Sequence, residues 1–266
     1  MRYQIIPLVV LFGLLSGCAT SPTKLSTHRT PILPESPYSH TPYRQIEPPR
    51  QLLEEAEKGK ANAQFELGKM YYGGQSVPQD YKQAAYWFRK AAEQGDAFAQ
   101  AFLGALYHDG TGVSRDYQQA IYWYRKAAGQ GLAVAQDSLG EMYTNGQGVP
   151  QDYRQAVFWY RKAAEQGYAE AQCNLGLMYK DGWGVRQNQQ QAAYWFRKSA
   201  EQGYVNAQAM LGTQYYLGRG VPKDYQHSEY WLRKAAEQGY AVAQYLLGIM
   251  YVDGLGVPQN YQQAVF

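Results

Sequence analysis

QDYRQAVFWYRKAAEQG fills residues 151–167, returns with small changes near residues 79, 115, 187 and 223, and starts again at 259. Aligning these strings aligns the residues around them. Leu67, Leu103, Leu139, Leu175, Leu211 and Leu247 stand 36 apart, as do the glycines that follow each of them. Gln64, Gln100, Gln136, Gln172, Gln208 and Gln244 keep the same interval, and so do Trp87, Trp123, Trp159, Trp195 and Trp231. Self-similarity at a fixed period of this size marks a repeat architecture, in which one unit cannot bury its apolar face alone and stacks on its neighbours.

Each unit reads as two helices. Ala99, Leu103, Leu106 and Tyr107 follow the i, i+4, i+7, i+8 spacing of one helical face, and the run His108-Asp109-Gly110-Thr111-Gly112 breaks it. The second helix opens at Asp116 with Gln119 three residues on, a capping-box arrangement seen again at Asp80/Gln83 and Asp152/Gln155. Ala120, Tyr124 and Ala127 give it a stripe, and Gly131 closes it. A glycine inside a helix costs about 1 kcal/mol relative to alanine. Its return in every first helix predicts that another backbone passes close there. The predicted fold is all-α, an α/α superhelical solenoid of about six helix-pair repeats over residues 60–266, capped by a more polar helix over 51–59. The chain stops at Phe266, where a Trp and an Arg-Lys pair would follow. Either a partner covers that end or the reading frame is shortened, and the second is the expectation.

The residues before the array read differently. Residues 1–18, MRYQIIPLVVLFGLLSGC, have a positive start and an apolar run too short to span a bilayer, as in an export signal. Leu15-Ser16-Gly17-Cys18 resembles the lipobox of bacterial lipoproteins. That resemblance implies lipidation of Cys18, and Ala19 after it implies the outer membrane, facing the periplasm. Residues 19–50 carry seven prolines among Ser, Thr and other polar residues, the composition of a disordered, partly extended spacer. The string Ser21-Pro22-Thr23-Lys24 has the S-x-x-K form of penicillin-recognising enzymes, but a proline-bearing spacer offers no helix in a dry site to activate the serine.

Composition excludes several functions. A net charge of +3 without a long basic run predicts no nucleic-acid partner. The two cysteines, one in the leader and one alone in a repeat, predict no disulfide framework. The four histidines share no spacing, and no phosphate loop or nucleophile motif stands in a plausible context. The reading is therefore no enzyme, with no catalytic residue, metal ligand or cofactor.

The pattern A-x-x-x-L-G-x-x-Y…G-x-G-V-x-x-D-Y-x-x-A-x-x-W-Y/F-R-K-A-A-E-Q-G resembles the Sel-one-like repeat family, relatives of the tetratricopeptide repeats. The resemblance implies a right-handed superhelix that serves as a scaffold for other proteins. Some members bind or hydrolyse β-lactams, and those staple each repeat with a cysteine pair that this chain lacks.

In related arrays the first helices line the concave face, so the variable positions there are the candidate partner-binding residues: Phe98, Phe102, His108, Asp137, Glu141, Asn174 and Leu177. Trp183, outside the tryptophan column, is expected on an exposed Gly-Trp-Gly loop, either as a further anchor or packed over the neighbouring loop. In the fifth repeat Gln214, Ser228 and Glu229 replace apolar or small residues, and either satisfy one another or mark a local site. The Arg-Lys pairs from 89/90 to 233/234 form a basic ladder on a solvated face, with contact to an anionic envelope polymer such as peptidoglycan as the alternative. Taken together, the sequence predicts a lipid-anchored periplasmic adaptor for protein partners in the cell envelope. The alternative is a cell-wall-related or β-lactam-binding protein.

Overall fold

The computed structural model describes residues 47–264. The leader, Cys18 and most of the spacer lie outside the described residues. Among the described residues there are twelve α-helices and no strand. They fall into two compact units divided between Asp116 and Tyr117.

The first unit holds α1 (Arg50–Glu57), α2 (Ala61–Gly73), α3 (Tyr81–Glu93) and α4 (Ala97–Asp109). The second holds α5 (Tyr117–Gly129), α6 (Ala133–Asn145), α7 (Tyr153–Glu165), α8 (Ala169–Asp181), α9 (Gln189–Glu201), α10 (Val205–Leu217), α11 (Tyr225–Glu237) and α12 (Ala241–Asp253). Within each unit every helix packs on the next, the stacking of a helix-pair solenoid.

Local chemistry sets the ends of the helices. The side chains of Asp80, Asp152 and Asp224 accept from backbone N–H groups two and three residues on, satisfying donors that the first turn leaves unpaired. Asn188 does the same for Gln191 in the fourth repeat.

The helix glycines answer first to a side chain, usually a ring, with backbone also close at Gly176, Gly212 and Gly248. A Cβ built on Gly68 would stand 2.6 Å from the ring of Phe88, one on Gly140 2.5 Å from Tyr160, and one on Gly176 2.6 Å from Phe196. The first helix of each pair is notched so that a buried side chain of the second can lie across it, Leu232 taking the ring's place against Gly212. A second glycine column governs stacking. Gly112, Gly184 and Gly220 hold φ of 71°, 69° and 72° and press against the backbone carbonyls of Tyr81, Tyr153 and Gln189, the first residues of the preceding second helices. In the first repeat the matching residue is Ser76, with φ of 62°. There the preceding helix α1 has 8 residues where α3 has 13, the whole difference lying at its start.

Two repeated polar contacts join successive helices. Buried Gln172 donates to the carbonyl of Ala164 at 3.1 Å and accepts from Gln202 at 2.8 Å. Gln64, Gln136 and Gln208 make the same pair of bonds with their counterparts. Arg161 donates to the hydroxyl of Tyr179 at 2.9 Å, and Arg125, Arg197 and Arg233 reach Tyr143, Tyr215 and Tyr251 likewise. The arginine half of the basic ladder thus fastens each second helix to the first helix of the next repeat. The lysine half lies over exposed rings, with Lys126 4.8 Å from Tyr122 and Lys162 4.8 Å from Phe158.

Candidate binding surface

Once the repeated residues are assigned to the frame, the variable positions of the first helices remain. They differ in chemistry between the two units.

In the first unit they are aromatic. Phe65 on α2 stands 6.2 Å from Phe98 and 5.9 Å from Phe102, both on α4. Tyr72 meets Phe102 edge-on at 5.7 Å, and Phe102 stacks on buried Phe88 at 4.9 Å. Phe98 is 55% exposed and Tyr72 37%. Lys69 lies 5.4 Å over Phe65. The sequence reading named Phe98 and Phe102, and the structure brings them together. It missed Phe65 and Tyr72, which stand at the first members of the variable columns. At the end of α4 His108 Nδ1 lies 2.7 Å from Asp109.

In the third and fourth repeats, in the second unit, the same face is acidic and polar. Asp137 on α6 is buried and accepts from Asn174 on α8 at 3.1 Å. Burial first, then the neighbouring charges of Glu170 and Glu141, hold its carboxyl well above the usual carboxylate range; the Asn174 bond opposes them. Tyr168 and Tyr204 donate to the two oxygens of Glu170, each at 3.3 Å. Tyr160, fully enclosed with its hydroxyl 3.2 Å from Thr144, is pushed up by burial and by Asp137. Burial and Glu170 raise Tyr168 as well. Glu141 is exposed at the edge of this cluster.

Two expected anchors sit elsewhere. Leu177 is a core residue at 5% exposure, packed with Cys173, Phe196, Met210 and Leu211. The reason is that α10 brings Met210 against α8, closing the position that the sequence left open. Trp183 is half-buried, stacked on Tyr153 at 5.4 Å and 20°. Its loop lies against the start of α7, as the neighbouring Gly184 requires. In the fifth repeat the three departures do not satisfy one another. Glu229 pairs with Arg233, Ser228 donates to the sulfur of Met250 at 3.7 Å, and Gln214 Oε1 is buried without a partner.

Among the described residues no group of three or more His, Cys, Asp or Glu side chains is placed to hold a metal ion, and no helix is long and apolar enough to cross a membrane.

The notched helix pairs, the glutamine bridges and a first-helix face free to vary define a helical-repeat binding scaffold. The chain belongs to the Sel1 repeat family, whose model matches residues 61–96, 97–132, 133–168, 169–204, 205–240 and 241–266. Sel1 repeat proteins generally mediate protein–protein interaction. Among solved structures, the chain is similar to a protective antigen of uropathogenic Escherichia coli displaying an SLR fold, at 42% identity and a TM-score of 0.76. That match covers 80% of this chain but 46% of the antigen, so the chain spans about half the antigen's length. A Sel1 repeat protein from Oxalobacter formigenes matches at 36% identity and a TM-score of 0.72, covering 78% of this chain and 83% of that one. An immunity protein from Pseudomonas aeruginosa, 21% identical with a TM-score of 0.51 over 74% of this chain and 77% of its own, shares the fold. No curated protein matches the chain.

Proposed function

We propose that the chain is an envelope adaptor, held to the membrane by a lipid on Cys18 and binding protein partners along its first helices, without chemistry of its own. The observation that carries the binding role is the division of labour between columns. The residues that join the repeats recur, while those on the first-helix face change from aromatic in the first two repeats to acidic in the third and fourth and apolar in the last. A scaffold that binds an extended or helical segment needs such a face, with apolar anchors and charges to fix register. The Leu15-Ser16-Gly17-Cys18 motif and the alanine after it support anchoring, in the outer membrane on the periplasmic side. Glu141 and Glu170, both exposed, add a preference for a basic segment, since like charge repels an acidic one.

Crosslinking in cells followed by affinity capture and mass spectrometry tests this. The wild-type chain is compared with Phe102→Asp and Glu141→Lys variants. A protein captured by the wild type and lost from the variants, with helicity unchanged, supports the adaptor. Equal capture by all three removes the first-helix face from consideration. Radiolabelled palmitate incorporated by the wild type but not by Cys18→Ala supports the anchor. Labelling of the purified chain by a fluorescent penicillin would replace the adaptor with the β-lactam-binding alternative.

A further inference from the structure

The aromatic face of the first unit belongs to this chain rather than to the repeat. At the positions matching Phe65 the later repeats carry Ala101, Asp137, Cys173, Ala209 and, in the last, Tyr245; at those matching Phe98 they carry Val134, Glu170, Asn206 and Val242. On α2 and α4 four variable-position rings touch one another, with Phe98 more than half exposed and nothing in the frame requiring it. The exposed faces of Phe98 and Tyr72 in this cluster are aromatic surface of the kind on which proline-rich segments dock.

The chain carries such a strand a short way upstream. Thr30-Pro31-Ile32-Leu33-Pro34-Glu35-Ser36-Pro37 places prolines at i, i+3 and i+6. In a polyproline helix, with three residues per turn, prolines at this spacing would share one edge. Residues 38–49 separate Pro37 from Arg50, the first residue of α1. At about 3.1 Å per residue they reach roughly 37 Å, against about 20 Å for the whole length of α2. Helix α1 is itself seated on α2, Leu52 and Leu53 packing with Leu67 and Trp87, so the strand leaves from beside the helix that carries Phe65.

We propose that residues 31–37 dock in cis on the aromatic face formed by Phe65, Tyr72, Phe98 and Phe102. A tether of this length holds the strand at an effective concentration near 1 mM, so a contact with a Kd of about 0.1 mM is roughly nine-tenths occupied. The inference stands apart from the partner reading, because it concerns this chain alone. The two meet at Phe98 and Phe102. A partner that uses those rings has to displace the strand, which makes the spacer a brake on capture as well as a tether.

The test places p-benzoylphenylalanine at position 98 of the full chain, where the half-exposed ring tolerates a larger one. Irradiation, trypsin and mass spectrometry then read the acceptor. Cutting after Arg29 and Arg44 isolates residues 30–44 as one peptide. The expected result is a crosslink from 98 to that peptide in the monomer band, lowered roughly fivefold or more in the Pro31→Ala/Pro34→Ala/Pro37→Ala variant, whose changes all precede the folded array. Absence of that crosslink, or its survival undiminished in the triple variant, overturns the proposal. A crosslink confined to a dimer band assigns the face to a second copy and overturns docking in cis.

Discussion

Replacing Gly176 by alanine and replacing Gly129 by alanine insert the same methyl group into two helices of one unit, with opposite expected signs. At Gly176 the new Cβ would stand 2.6 Å from Cε1 of Phe196 and 3.3 Å from the carbonyl oxygen of Ala192. Ordinary carbon contacts lie at about 3.5–4.0 Å, so the overlap with the ring is roughly 1 Å. Phe196 is fully buried. Overpacking of this kind costs about 1–3 kcal/mol, with a rigid ring at the upper end, while alanine's helix propensity returns about 1 kcal/mol. The net expectation is a loss of about 1–2 kcal/mol. At Gly129 a Cβ meets nothing within 4 Å, so only the propensity gain remains, about 0.5–1 kcal/mol. The two variants should therefore differ by roughly 1.5–3 kcal/mol. Urea denaturation followed by far-UV circular dichroism, with wild type alongside, reads this as midpoints moved in opposite directions. A Gly176→Ala chain as stable as wild type would refute the notch as the reason for the glycine column.

Three further expectations follow from the contacts. Asp137 has its folded pKa raised by burial, so the folded state holds the proton more tightly than the unfolded. Stability at this site is full below the unfolded carboxylate pKa and is lost as pH rises through the folded value. Asp137→Asn should remove that slope and raise the urea midpoint at neutral pH; a midpoint unchanged across pH in both chains would contradict it. Gln172→Leu takes away the donor to Ala164 and the acceptor for Gln202 in a buried place, a loss of about 1–3 kcal/mol measurable by the same titration. Trp183→Ala should cost about 1 kcal/mol through the lost stack on Tyr153 and leave helicity unchanged, and no shift in midpoint would show that the stack carries nothing.

The all-α class, the repeat length and the helix pair follow from the sequence alone. The reason is that a solenoid writes its packing rule once per repeat, so periodicity exposes the residues that make the frame. The aspartate caps were legible too, because an N-cap is a contact between a side chain and the two or three residues after it. What the glycine notches receive was not legible, since Phe88, Tyr160 and Phe196 come from a different helix twenty residues on. Nor was the bond from each arginine to a tyrosine eighteen residues away, by which a ladder that does lie in solvent also fastens one repeat to the next. The candidate surface divided in the same way. Variation along a column marks positions freed from the frame, and that much picked out Phe98, Phe102, Asp137 and Asn174. Whether a freed position faces solvent depends on what the adjacent helix brings to it. Met210 covers Leu177, Tyr153 takes Trp183, and Asn174 reaches Asp137, while Phe65, Phe98 and Phe102 share a face that stays open. A one-dimensional pattern records which residues repeat, but exposure is set by contacts between helices distant in the chain, and only the packed array decides those.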